Sequence, residues 1–174
     1  MERHMTTTTL NRTDAAPASL PADLRECLGE QFLLKLALDA VQSLDPSQLS
    51  AAVTCDERLR PQMMLTLLTF CYGSRLYGSR EIEWATRNDK TVRYICARVF
   101  PDFHAIRQFR RHNRALLQQC LTVMLRKAWV LQCGGLDEAL PMSGWLAAEI
   151  DRKLKSAAQE KLEVAVITDT AETD

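Results

Sequence analysis

Punctuation restricts this chain's fold more than composition does. Between Ser79 and Arg114 the sequence SREIEWATRNDKTVRYICARVFPDFHAIRQFRRHNR holds two stop-and-start signals, Asn88-Asp89 and Pro101-Asp102. Proline disfavours helix for the residue before it, and an Asp in such a place accepts hydrogen bonds from the free N–H groups of the helix that follows. The stretch therefore predicts three short helices, starting at Ser79, after Asp89 and after Asp102. Gly73 and Gly78 bracket the turn before the first, and Ser79 is its expected cap.

The third of these helices sorts its residues by face. At about 100° per residue, Ile106, Phe109, Leu116, Leu117 and Cys120 fall on one side, and His104, Arg107, Gln108 and Arg111 on the other. One face can pack while the other carries long hydrogen-bonding side chains. Arginine offers a bidentate fork to guanine O6/N7 or to phosphate, and glutamine pairs with adenine, so this is the composition of a helix that reads duplex DNA. Arg80, Lys90 and Arg114, near helix ends, join the candidate DNA contacts as phosphate binders. Arg110 lies on the border of the packed face, where pairing with Glu81 or Glu83 is expected. His104 and His112 have no Ser, Cys or carboxylate partner in a nucleophile arrangement, so acid–base catalysis is not indicated.

Charge distribution supports the same partner. The net charge is zero, yet residues 58–130 hold 14 basic and 4 acidic residues, +10, and each flank carries 4 basic and 9 acidic, −5. Twelve of the 14 are arginine, the residue suited to phosphate and base edges. Acidic flanks of this kind could also fold over the basic centre and weaken its binding. The six cysteines, Cys27, Cys55, Cys71, Cys96, Cys120 and Cys133, form no CxxC pair and have no histidine at metal-ligand spacing. They read as small buried hydrophobes in a reducing compartment, with no metal and no cofactor expected. Apolar runs fall short of the roughly 20 residues a membrane span needs, and no signal peptide is recognisable, so a cytoplasmic protein is expected.

The expected fold is all-α, a compact helical domain with a helix-turn-helix-like centre and disordered polar termini. Residues 1–19, rich in Thr and Ala, read as a disordered lead; 20–135 as the helical DNA-binding domain; 136–174 as a C-terminal helix and acidic tail. A helix is expected from Pro21 to Leu44, with Leu24, Leu28, Phe32, Leu36 and Val41 apolar, then a short one over Ser47 to Val53. PQMMLTLLTFCYG, opening at Pro61, is apolar at nearly every angle and belongs in the core. The helix after Asp89 should run through TVRYICARVF, and the one after Asp102 through Leu116 to Val130, stopping at Gly134-Gly135. Ser143 to Lys161 forms an amphipathic helix whose stripe, Trp145, Leu146, Ile150 and Leu154, folds back on the core or meets a protein partner or a second copy.

An ordered set of residues carries a family resemblance. Pro61, Met64-Leu65, Tyr72-Gly73, Ser79 to Glu83, Arg93-Tyr94, Pro101-Asp102, His104, Ile106, Phe109 and Arg110 follow one another as in the N-terminal domain of InsH-type insertion-sequence transposases. The match covers about residues 60–125. It implies an all-helical DNA-binding domain that, in the family, precedes a catalytic domain with an acidic triad. The 44 residues after Val130 are too few for such a domain. VAVITDTAETD resembles one strand ending in an acid, Asp169, although an acidic tail is the simpler reading, and one carboxylate cannot hold a metal pair. The expectation is a non-catalytic DNA-binding protein acting in transcription or transposition. A helical interaction module acting through Trp145, and the truncated front end of a transposase, are the alternatives.

Overall fold

The computed structural model describes residues 20–132 and 144–172. The lead over 1–19, Cys133, the Gly134-Gly135 stop and Ser143 lie outside them. Among the described residues there are nine helices and no strand, so the fold is all-α.

The first expected helix is two. α1 (Leu24–Leu28) is capped by the Asp23 carboxylate, and α2 (Glu30–Gln42) follows directly. Between them Gly29 sits at φ +84°, a backbone that side-chain-bearing residues rarely adopt. That break re-aims the stripe, so that Leu33, Leu34, Leu36, Ala37, Ala40 and Val41 are buried and Phe32 is left exposed. α3 (Pro46–Ala51) is a short helix with Pro46 in its first turn.

α4 (Pro61–Gly73) is the centre of the core. Met64 through Gly73 are all buried, and each large side chain among them contributes about 1.5–3 kcal/mol by leaving water. It packs against α2 and α8 (Arg114–Gln132), most closely at Gly73, where a Cβ would stand 2.9 Å from the Met124 methyl. α5 (Ser79–Asn88), α6 (Lys90–Cys96) and α7 (Phe103–His112) are the three short helices that the punctuation predicts. Asp89 caps α6 and Asp102 caps α7 with their carboxylates.

Two boundaries differ from expectation. α6 ends at Cys96 because Ala97 and Arg98 turn into the left-handed region, at φ +46° and +73°. The helix after Asp102 is not continuous with the apolar stretch. Asn113 interrupts it, accepting from the Val53 backbone N–H (2.9 Å) and donating to the Val53 carbonyl (2.8 Å), so α7 and α8 are separate helices.

α9 (Gly144–Ala171) overturns the reading of VAVITDTAETD as a strand or a tail. Ile150, Leu154, Ala158, Leu162, Ala165 and Asp169 recur three or four residues apart and are all buried, one stripe that continues straight through the β-branched residues. Packing along α8 overrides their strand preference. The C-terminal helix thus folds back on the same core as α2, α4 and α8.

Candidate nucleic-acid interface

α7 divides its surface three ways. Ala105, Ile106, Phe109 and Arg110 are buried, while His104, Gln108, Arg111 and His112 are exposed. His104 and Gln108 line one cleft, and Arg111, with Arg107 and Arg110, lines another. His104, Gln108 and Arg111 follow at i, i+4 and i+7, so they form one ridge with a cleft on each side.

The inner flank is built on Asp169. This carboxylate accepts from the Ser79 backbone N–H (2.7 Å) and hydroxyl (2.6 Å), and it pairs with the Arg110 guanidinium, both partners being buried. Ser79 is therefore the first residue of α5 and not its cap; the capping carboxylate comes from α9, 90 residues away, and sits at the positive end of the α5 dipole. Arg110 also donates to the Tyr72 hydroxyl (3.2 Å). It bonds to Asp169 and Tyr72, where Glu81 or Glu83 was expected. Burial pushes the Asp169 carboxyl up, but the Ser79 hydroxyl and N–H and then Arg110 more than offset it, leaving it below the usual aspartate range. Tyr72, fully buried, is pushed up to about 12.

Arg107 is drawn into the same network. Its guanidinium donates to the Asp169 carbonyl (3.1 Å), lies 3.4 Å from the Asp169 carboxylate and reaches Glu172 at 3.9 Å. The side chain is 23 % exposed, so Arg107 is held against α9 and does not belong to the open ridge. Its Nε is buried without a hydrogen-bond acceptor.

The outer flank holds residues that the sequence reading did not select. A cleft of about 580 Å³ brings Arg58, Arg87, Arg98 and Phe100 beside His104 and Gln108. Arg58 pairs with Asp56 at 2.7 Å, and Arg87 reaches Glu83 only at 3.9 Å. Arg98 arrives through the left-handed turn at Ala97-Arg98, where strain costs on the order of 1–2 kcal/mol per residue. Nothing in the sequence announces that turn. Arg87 had a signal, since Arg80, Trp84 and Arg87 share one exposed stripe of α5.

The remaining candidates scatter. Arg80 is exposed and stacks its guanidinium 4.4 Å from the Phe103 ring, close to the start of α7. Lys90 lies elsewhere, in a cleft with Tyr94 and Leu38 between α2 and α6. Arg114 is half-exposed and 3.8 Å from Glu163 on α9. Glu81 is exposed, while Glu83 accepts from the Phe103 N–H at 3.2 Å and so helps hold the start of α7. Trp145, on α9, is 72 % exposed.

Cys71, Cys96 and Cys120 are buried, and burial pushes the Cys96 and Cys120 thiols up to about 12. Cys27 and Cys55 are exposed, against the reading of every cysteine as buried. Among the described residues no helix is long and apolar enough to cross a membrane. No family model, curated protein or solved structure matches the chain.

Proposed function

We propose that this chain binds duplex DNA without acting on it chemically, seating the exposed ridge of α7 in the major groove. The observation that carries this reading is that ridge, His104, Gln108 and Arg111, with an arginine-bearing cleft on each flank. A major groove about 12 Å wide admits one helix and has a phosphate backbone on either side. Gln108 and Arg111 reach base edges, while Arg87, Arg98 and Arg114 meet phosphates. Arg80, through its stack on Phe103, adds a phosphate contact at the start of the helix; Lys90 is set apart from this face. The network around Asp169 is a structural one in this reading, which leaves that carboxylate committed to Ser79 and Arg110. A relation to the transposase N-terminal domain, and service in transcription or transposition, follow from the resemblance of residues 60–125.

Selection from a random duplex pool by gel shift tests the proposal. A recovered motif, with binding that weakens by a slope of roughly −0.9 in log K per phosphate contact as log salt rises, is the expected result. A flat salt response and no motif would remove the DNA role. The exposed Trp145 favours one other reading, a module that binds protein or a second copy through α9. In that case Trp145→Ser would shift the sedimentation behaviour of the chain while duplex binding is absent.

A further inference from the structure

A second cleft, on the inner flank of α7, has a composition unlike an ordinary solvated surface. It encloses about 520 Å³ between α7, the start of α8 and the last turns of α9. Four arginines line it, Arg107, Arg110, Arg111 and Arg114, against one carboxylate, Asp169. Arg107, Arg110 and Arg111 lie one turn apart on α7, and Arg114, the first residue of α8, joins them across the Asn113 break. Asp169 is engaged by Ser79, Arg110 and Arg107, so its single charge is shared between the two inner arginines. Glu163 and Glu172 stand at the rim, 3.8 Å from Arg114 and 3.9 Å from Arg107. Long, partly exposed pairs of that kind are weak and easily exchanged for a better acceptor.

One guanidinium remains to be satisfied. Arg111 has no ion-pair partner among the described residues, while Arg107 is held by the carboxylate and carbonyl of Asp169 and, at 3.9 Å, by Glu172. Arg110 sits behind them as a fixed positive charge. Planar forks converging from several arginines match the tetrahedral oxygens of a phosphate, which offers several acceptors and a full negative charge in a small volume. Carboxylate ligands satisfy fewer donors at once.

We infer that this cleft is a phosphate-binding site, in which Arg111 and Arg114 grip the phosphate oxygens, Glu163 swings away, and Arg107 and Arg110 supply charge from behind. The phosphate comes either from a nucleic-acid backbone or from a free phosphate. The site shares Arg111 and Arg114 with the proposed DNA face, where a phosphate held by Arg111 takes it from the base edge, and the response to inorganic phosphate tests it apart from that reading.

The test uses the full chain and the double variant Arg111→Gln/Arg114→Gln. Both residues are exposed, so the variant should keep the wild-type melting temperature in chloride buffer. Inorganic phosphate is titrated at constant ionic strength while Tm is recorded. A ligand that binds only the folded state raises Tm with concentration, and phosphate also stabilises proteins weakly by exclusion from their surfaces. The expected result is a larger rise for wild type than for the variant. In a second arm, log Kd for a short duplex is measured against log salt. If the phosphate belongs to a backbone, the variant's slope is shallower by about 0.9, the one phosphate that both arginines grip. A lost Tm response with an unchanged slope, or with no duplex binding by either protein, assigns the site to free phosphate. Equal Tm responses would overturn the site whatever the slopes, even if the duplex itself binds tightly.

Discussion

Arg110 and Arg111 are neighbours in sequence and opposites in circumstance. Arg110 is 7 % exposed, bonded to Tyr72 and Asp169, and part of the seam that fixes α5, α7 and α9 to one another. Arg111, about 100° further round the helix, is exposed and has no carboxylate at ion-pair distance among the described residues. The same side chain thus holds the fold together in one place and faces outward in the other. What separates the two is Asp169 of α9: arginines that reach it become structural, while Arg111, in the same cleft but not paired with it, stays available. An arginine-rich block is therefore not a binding surface until the packing around it is known.

The comparison breaks most readily on the buried side. Phe109→Ala removes a core anchor and should cost about 3–5 kcal/mol in chemical denaturation. Arg110→Ala should cost less, about 1–3 kcal/mol, because the buried Asp169 carboxylate loses one cation but keeps Ser79 and Arg107. If the charge itself were unimportant, the paired change Arg110→Met with Asp169→Leu would recover most of that loss. A smaller effect is expected with pH. Asp169 titrates below the ordinary aspartate value of about 3.9, so its contribution is complete above that value and is lost as pH falls through the lower folded one. Asp169→Asn should flatten the acid limb of the stability curve. At the other end, Tyr72 keeps its proton to about 12 in the folded chain, so its contribution holds below about 10 and is lost as pH climbs between these values. Ala97→Gly, which relieves a left-handed backbone, should stabilise by only about 0.5–1 kcal/mol. A clear destabilisation there would mean that the turn is not strained.

How much of this was legible before the structure depends on whether the signal was local. Caps and prolines are local, and Asp89, Asp102 and Pro61 start their helices where they should. The packed and open faces of α7 followed from its period, with Ile106 and Phe109 inside and His104 and Gln108 outside. Arg107 was misplaced because its surroundings are set by Asp169, 62 residues on. Asp169 itself looked like the end of a strand, since Val164, Val166, Ile167 and Thr168 favour strands, and only its spacing from Leu162 and Ala165 gave away a helix. Gly29, Ala97 and Asn113 broke helices whose apolar periods ran on past them. The cleft beside Gln108 joins Arg58, Arg87 and Arg98 from three segments, an arrangement that no spacing rule contains.

If α7 divides labour between adjacent arginines, Arg111→Ala will separate the two roles when stability and duplex binding are measured on the same preparation. Stability should stay within about 0.5 kcal/mol of wild type, as for an exposed position. Preference for the selected duplex over an unrelated one should fall by about 1–3 kcal/mol, the worth of one bidentate base contact. A chain that loses stability on this change while its sequence preference is untouched would contradict the account.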